Sequence, residues 1–326
     1  MNTTERLEQL KQELSRHALG QPELIRFLLA TTLAGGHALL EGVPGLGKTM
    51  VAKALGQALS QQFGRIQFTA DLMPGDIIGT RMVMEDESGR RYFEFQPGPL
   101  FADLILADEI NRASPKTQAA LLEAMEERQV TVAREKLPLS PGFMVVATQN
   151  PIEMEGTFPL PEAQLDRFAV KLELSYPSAE TLASIVDRHT TLESPTVKAV
   201  IEPADLDALR AETREVVVAS HVRDYAVSIV MATHPDSADA PPAVRDYVRH
   251  GASPRGLLSL IMVAKALAIM DGRLNLAFDD IIAVAPHALR HRIMLNFEAE
   301  ASGVTQNDIV AAVLATCERP TGAGPA

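Results

Sequence analysis

The stretch Gly42-Val-Pro44-Gly45-Leu46-Gly47-Lys48-Thr49 constrains this chain more than any other. It follows an apolar run, His37-Ala-Leu-Leu-Glu41, and leads into Met50 to Leu59, which has helical periodicity. A strand, a glycine-rich turn ending in Gly-Lys-Thr and a helix together make a phosphate-binding loop. Glycines let the backbone curl where side chains would collide, so successive N–H groups converge on phosphate oxygens. The incoming helix adds its positive end. Lys48 offers a point charge for β- and γ-phosphates, and the Thr49 hydroxyl is a ligand for Mg2+. Gly42, Pro44, Gly45, Leu46, Gly47, Lys48, Thr49 and Met50 are thus the expected cradle of a nucleoside triphosphate. A turn bearing the same residues but binding nothing is the competing reading, and the flanking strand and helix weigh against it.

A phosphate loop needs a cation site and a base, and Leu104-Ile-Leu-Ala-Asp108-Glu109 supplies both. Four consecutive apolar residues suit a strand buried on both faces of a parallel sheet. Ligands of open α/β sheets lie beyond the carboxyl ends of strands, where this acidic pair falls. Asp108 is expected to hold Mg2+ and Glu109 to orient and polarise the attacking water. Asp108 lies 59 positions after Thr49, a gap that holds a glycine-rich excursion over 72–100. Its alternating segments, Thr80–Met84 and Arg91–Phe95, joined by Asp86-Glu-Ser-Gly89, predict a hairpin. That hairpin is either a surface ornament or a moving element that touches a substrate or neighbour.

Further along, Ser114-Pro115 reads as a helix cap and first turn, with Leu121, Leu122 and Met125 facing the core. Residues 128–139 predict a second hairpin, and Phe143 to Thr148 a further buried strand that delivers Asn150 to the sheet edge. Asn150 there either reaches the water or the γ-phosphate, or simply starts a turn before Pro151. Arg167 follows a helix start at Pro161-Glu162 and is expected in that helix's last turn. It either complements the negative helix end or projects into a neighbouring subunit's nucleotide. Upstream, residues 3–18 and Glu23 to Leu33 read as helices; Leu19, Gly20 and Gln21 between them are candidates for contact with the base. A last core strand is expected over Leu172 to Pro177.

These segments together resemble the MoxR family of AAA+ ATPases, relatives of the magnesium-chelatase motor subunit. The resemblance rests on Gly42–Thr49, on Leu104–Arg112 ending Asp-Glu-Ile-Asn-Arg, on Ala147-Thr-Gln-Asn-Pro151 and on Leu160–Phe168, and it extends over essentially the whole chain. It implies an αβα nucleotide-binding core with a parallel sheet, followed by an all-α lid. It also implies ATP and Mg2+ as ligands and a ring, usually hexameric, with nucleotide between subunits. By the same resemblance Asn150 matches the first sensor, Arg167 the arginine finger acting in trans, and Arg255 the second sensor reading the γ-phosphate. Residues 72–100 match the helix-2 insert and 128–139 the pre-sensor hairpin, elements that face the pore or substrate in relatives. A partner carrying a von Willebrand factor A domain, with a role in protein maturation or metal insertion, is implied on the same ground.

The core is expected at 1–176 and the lid at 177–326. In the lid, Val222, Tyr225, Ala226, Ile229 and Val230 form one apolar stripe. Ser253-Pro254 opens a long helix whose first turn holds Arg255, a cation where the helix dipole opposes it. That mismatch points to an external anion. His287, Arg290, His291 and Arg292 read as a basic helix end open to a subunit contact; His287 and His291 have the spacing of a metal pair but lack the companion Glu of a zinc helix. The tail from Pro320 is expected to be disordered. Hydrolysis is expected to change the angle between lid and core.

Charge and composition narrow the alternatives. The formal charge of −12 argues against a broad nucleic-acid footprint, which would need neutralised phosphates. No uncharged apolar run reaches the length of a membrane span, and the charged N-terminal segment does not read as a signal peptide. The single Cys317 has no partner for an internal disulfide, which fits a reducing cytoplasm. Two other functions use the same core: a transcriptional or nucleic-acid motor, and a nucleotide-gated scaffold without hydrolysis. The first lacks a visible DNA-binding appendage, and the complete acidic pair speaks against the second.

Overall fold

A computed structural model describes residues 2–18, 20–151, 156–190 and 196–317. Leu19 and the tail from Pro320 lie outside the described residues. Helices α1 (Thr3–His17) and α2 (Pro22–Ala34) precede strand β1 (Ala38–Glu41), and α3 (Lys48–Ala58) starts at the lysine of the phosphate loop. Then follow β2 (Phe63–Gln67), α4 (Pro74–Ile78), and the hairpin β3 (Gly79–Glu85) and β4 (Arg91–Pro97). After β5 (Leu104–Asp108) and α5 (Pro115–Glu127) comes a second hairpin, β6 (Gln129–Val132) and β7 (Glu135–Pro138). Strand β8 (Met144–Gln149), the single turn α6 (Glu162–Leu165) and β9 (Val170–Glu173) complete the first half.

Five parallel strands in the order β2-β5-β8-β1-β9 form the central sheet among the described residues. Register places Gln67 beside Asp108, and Glu41 between Gln149 and Glu173, so these residues mark one edge of the sheet. Strands β5 and β8 are buried on both faces, as their apolar runs require. One apolar cluster packs α1, α2 and α3 against one face, and another packs α4 and α5 against the other. This is the expected αβα layering.

Beyond β9 the chain is helical: α7 (Ala179–His189), α8 (Pro203–Glu215), α9 (Ser220–Ala232) and α10 (Pro242–Tyr247), then, past the short strand β10 (Val248–His250), α11 (Pro254–Met270) and α12 (Phe278–Leu289). A two-residue strand, β11 (Met294–Leu295), pairs with β10, and α13 (Phe297–Ser302) and α14 (Gln306–Thr316) follow. The expected stripe on α9 is buried. Ser253 caps α11 by accepting from the Gly256 N–H, with Pro254 in the first turn. The cluster on the α1–α3 side of the sheet runs on without a break through α8, α9, α11, α12 and α14.

Three expectations of the fold need correction, and one helix was not anticipated. The last core strand lies earlier than Leu172–Pro177, because Val170 and Leu172 are the residues whose side chains alternate into the core, and the chain leaves the sheet after Leu174 N–H bonds Glu41 O at 2.8 Å. Arg167 stands beyond the end of α6, which closes after one turn at Leu165. Helix α4 was not legible, being five residues held by Pro74 in the first turn and by the Asp76 carboxylate accepting from Met73 N–H at 2.8 Å.

The largest correction concerns His287–Arg292, which is buried within the chain rather than a basic helix end open to a subunit contact. The Arg292 side chain is 1% exposed. It donates to Asp166 Oδ1 at 2.7 Å and to the carbonyls of Asp166, Phe168 and Ala169 at 2.9, 2.8 and 3.2 Å. His291 Nε2 lies 2.9 Å from the Phe168 carbonyl. A charge this deep persists only when its donors are met, and here they clamp the loop between α6 and β9.

A similar device sits under the sheet. His37 joins three elements, accepting from Val145 N–H at 2.9 Å through Nδ1 and bonding the Met125 carbonyl at 3.3 Å through Nε2. Burial, reinforced by the Arg128 charge, pushes its pKa down to about 3. Neutral in the fold yet free to protonate in the unfolded chain, His37 lends stability above about pH 6.5 that acid removes. Urea unfolding should therefore register about 2 kcal/mol of stability lost to this residue between pH 7 and pH 5, and His37→Gln should flatten that slope.

Candidate nucleotide site and its two edges

Gly45 and Gly47 adopt left-handed backbone conformations at φ 85° and 80°, and α3 opens directly behind them. A side chain at either position would strain the turn. Lys48 Nζ reaches into the loop, donating to the Gly42 carbonyl at 2.5 Å and to the Gln149 carbonyl at 3.3 Å. Half-burial lowers its pKa, while the nearby Asp108, Glu109 and Glu41 charges oppose that shift. Leu46 packs on the core beneath the loop, whereas Met50 stands exposed on the outer side of α3. Pro44, at the tip, is exposed.

Beside the loop, Thr49 Oγ1 lies 3.4 Å from Asp108 Oδ2, so the hydroxyl and the carboxylate face one point. That pairing of a hydroxyl with a carboxylate oxygen fits a hard cation such as Mg2+. Glu109 follows in a left-handed conformation at φ 57°, rare for a residue with a Cβ. Thr148 supports it by accepting from Glu109 N–H at 2.8 Å while donating to Asp108 Oδ1 at 2.7 Å. Asn150 stands one residue past the end of β8, between β5 and the phosphate loop, and is buried.

Three neighbours of this pair were not anticipated. Arg65 Nη2 lies 2.7 Å from Asp108 Oδ2, Gln67 Nε2 donates to Glu109 Oε2 at 3.2 Å, and Thr148 bridges as above. Arg65 and Gln67 are two apart on β2, hence on one face, and the polar alternation Arg65-Ile-Gln67 was the available signal.

Gly20 and Gln21 line a cavity of about 150 Å³ with Glu23, Leu172, Ser175 and His287. It lies at the carboxyl end of β9, next to the Leu174 segment that passes Gly42. His287 was not anticipated here. Burial and the Arg290 charge hold its pKa near 4, and its Nε2 lies 3.1 Å from Glu23 Oε1. His287 Nε2 turns to Glu23, whereas His291 Nε2 turns to the Phe168 carbonyl.

Arg167 and Arg255 are brought together, but not at this edge. Arg167 Nη2 lies 2.7 Å from Glu126 Oε2, and Arg255 Nη2 pairs with Glu126 Oε1. Glu126 belongs to the last turn of α5, the turn whose Met125 carbonyl meets His37 at the amino end of β1. The sheet therefore separates the two arginines from Lys48 by about 13 Å or more, four strand residues at roughly 3.3 Å each. Arg255 therefore does not face its own chain's phosphate loop.

A phosphate loop, a strand-end acidic pair, a buried polar residue on the next strand and a helical second half define a P-loop ATPase of the AAA class. A model of the ATPase family associated with various cellular activities matches residues 37–170, and a model of the AAA lid domain matches 242–313. The chain is 41% identical to Chaperone MoxR1 of Mycobacterium tuberculosis over 96% of its own length and 82% of that protein. It is 34% identical to Protein MoxR of Paracoccus denitrificans over 85% of each. A solved structure from Cytophaga hutchinsonii, assigned as an ATPase, superposes with a TM-score of 0.90 at 38% identity, covering 97% of this chain and 95% of that one. The chain belongs to the MoxR family of AAA+ ATPases.

Replacing the charge at the centre of the loop tests the nucleotide site directly. Lys48→Ala should weaken binding of a fluorescent ATP analogue at least tenfold, about 1.4 kcal/mol, with the thermal unfolding profile retained.

Proposed function

We propose that this ATPase works as a ring, usually of six copies, in which ATP is hydrolysed between subunits to remodel or mature a partner protein. The observation that carries this reading is the division of the site across one protomer: Lys48, Thr49, Asp108, Glu109 and Asn150 at the carboxyl edge of the sheet, Arg167 and Arg255 at the amino edge. Two unlike faces that complete one site require head-to-tail contact, and head-to-tail contact with a closing rotation makes a ring.

Within such a pocket Lys48 binds the β- and γ-phosphates, and Gly20 and Gln21 bound the base. Thr49 and Asp108 would hold Mg2+, which supplies charge neutralisation at the phosphates when bound. Glu109 orients and deprotonates the attacking water, and Asn150 fixes that water or the γ-phosphate. Arg167 stabilises the transition-state charge from the neighbouring subunit, and we extend that role to Arg255, which shares its edge.

The hairpins supply the working surface. Val83 and Phe93, opposite each other on β3 and β4, are 58% and 72% exposed, and Met82 and Tyr92 are exposed nearby. Apolar side chains left in water on an insert suit contact with a client polypeptide. Arg81 on β3 pairs with Glu135 on β7 at 2.7 Å, which ties the two hairpins together. The similarity to Chaperone MoxR1 supports a chaperone-like role. We assign a von Willebrand factor A domain protein as partner on family grounds, and the cytoplasm as the compartment. No described helix is long and apolar enough to cross a membrane. We divide the chain into core and lid at about residue 176.

Glu109→Gln should retain ATP-analogue binding while phosphate release falls by two orders of magnitude or more. Arg167→Ala should be equally poor alone, yet regain part of its rate when mixed with Lys48→Ala subunits, whose arginines are intact. Retained turnover by Glu109→Gln would remove Glu109 from its role; a mixture no faster than its parts would remove the trans assignment.

A further inference from the structure

We propose that Glu126 is a positioning residue that holds Arg167 and Arg255 as one unit for the neighbouring subunit's phosphates. The proposal rests on the trans reading of Arg167 and goes beyond it by naming what sets the finger's position.

Each oxygen of the Glu126 carboxylate takes a different arginine: Oε2 accepts from Arg167 at 2.7 Å and Oε1 accepts from Arg255. The first arginine comes from the loop before β9 and the second from the first turn of α11, so one core carboxylate joins core and lid at their exposed seam. Neighbouring bonds run the same way. Asp166 Oδ1, one residue before Arg167, accepts from Ser253 Oγ at 2.8 Å and from Arg292 Nε at 2.7 Å. The backbone under both arginines is therefore fixed by these bonds, while among the ion pairs of the described residues their guanidinium ends are fixed by Glu126 alone.

Stability does not account for the arrangement. Side-chain exposures of 26% for Arg167, 34% for Glu126 and 48% for Arg255 leave the pairs well screened, and pairs of this kind add little to folding. Two guanidinium groups side by side at a surface repel each other unless an anion lies between them. Arg167 Nε is buried without a hydrogen-bond partner, leaving it a donor still to be met. A carboxylate that accepts from both arginines sets their spacing and removes rotamer freedom before a phosphate arrives, which is the preorganisation a transition-state donor needs. Gln at this position keeps the shape but offers only one oxygen, and turns an amide N–H2 toward the second arginine.

The test measures steady-state ATP hydrolysis by Glu126→Gln, alone and mixed with Lys48→Ala subunits, with Arg167→Ala measured in parallel. Glu126→Gln should lower kcat by 10- to 100-fold with KM for ATP within twofold, since a displacement near 1 Å in a reacting group costs up to about 10²-fold. Adding Lys48→Ala subunits, which present an intact Glu126–arginine unit, should restore part of that rate, and the Lys48→Ala/Glu126→Gln double variant should restore none. Glu126→Asp, which keeps both oxygens, should fall between wild type and Glu126→Gln. A kcat within twofold of wild type, or higher, overturns the proposal. So does a fall that Lys48→Ala subunits do not relieve while they do relieve Arg167→Ala. If neither variant is relieved, the trans reading itself fails and takes this proposal with it.

Discussion

A parallel sheet has two unlike edges, and everything functional in this protein follows from which edge a residue occupies. Strands β1, β5 and β8 end level with one another, so Glu41, Asp108 and Gln149 share the carboxyl edge with the phosphate loop. Chain direction then sends α5 back across the sheet, and its last turn arrives at the amino edge, where Glu126 meets Arg167 and Arg255. No rotamer of an arginine can reach across a sheet filled by Leu39, Leu106 and Val146. The separation is thus built into the polarity of the backbone rather than into any loop that could move to close it.

The lid is tied to the core by packing and by buried charge. Hydrolysis was expected to alter the angle between lid and core within one protomer. The apolar cluster, however, runs without a break from α1–α3 into α8, α11 and α12, and Arg292 carries a buried charge whose partners lie on the core. Opening that seam would expose apolar surface and strand a guanidinium, each costing several kcal/mol. In the proposed ring, rigid rotation of whole protomers would leave that seam closed, and the Arg81–Glu135 tie would carry both hairpins along with it.

Much of the site was legible because its signals are local. Gly42 to Thr49 and Leu104 to Glu109 each specify an element and the chemistry at its end within ten residues, and Ser253-Pro254 specifies a helix start. Arg167 and Arg255 were recognisable singly, Arg255 from its conflict with the helix dipole, but which edge they occupy depends on a contact 129 positions apart in sequence. Arg65 and Gln67 were lost because a short strand says little about what stands beside it. His287 to Arg292 misled for a different reason: four basic residues in six read as solvated unless one knows that Asp166 and three carbonyls wait inside.

The acidic pair shows how adjacent residues are given separate tasks. In an extended strand Asp108 and Glu109 would point to opposite faces, and one carboxylate would be wasted in the core. Instead the chain leaves β5 at Asp108 and turns through a left-handed residue, which re-aims Glu109 toward Gln67 while Asp108 stays on Thr49. Such a conformation costs of order 1 kcal/mol or more and persists only when its surroundings impose it. Thr148 does so with a single hydroxyl, accepting from the Glu109 amide and donating to the Asp108 carboxylate. One side chain on β8 therefore sets the angle between the Asp108 and Glu109 carboxylates, and strain at Glu109 is the cost of keeping both on one edge.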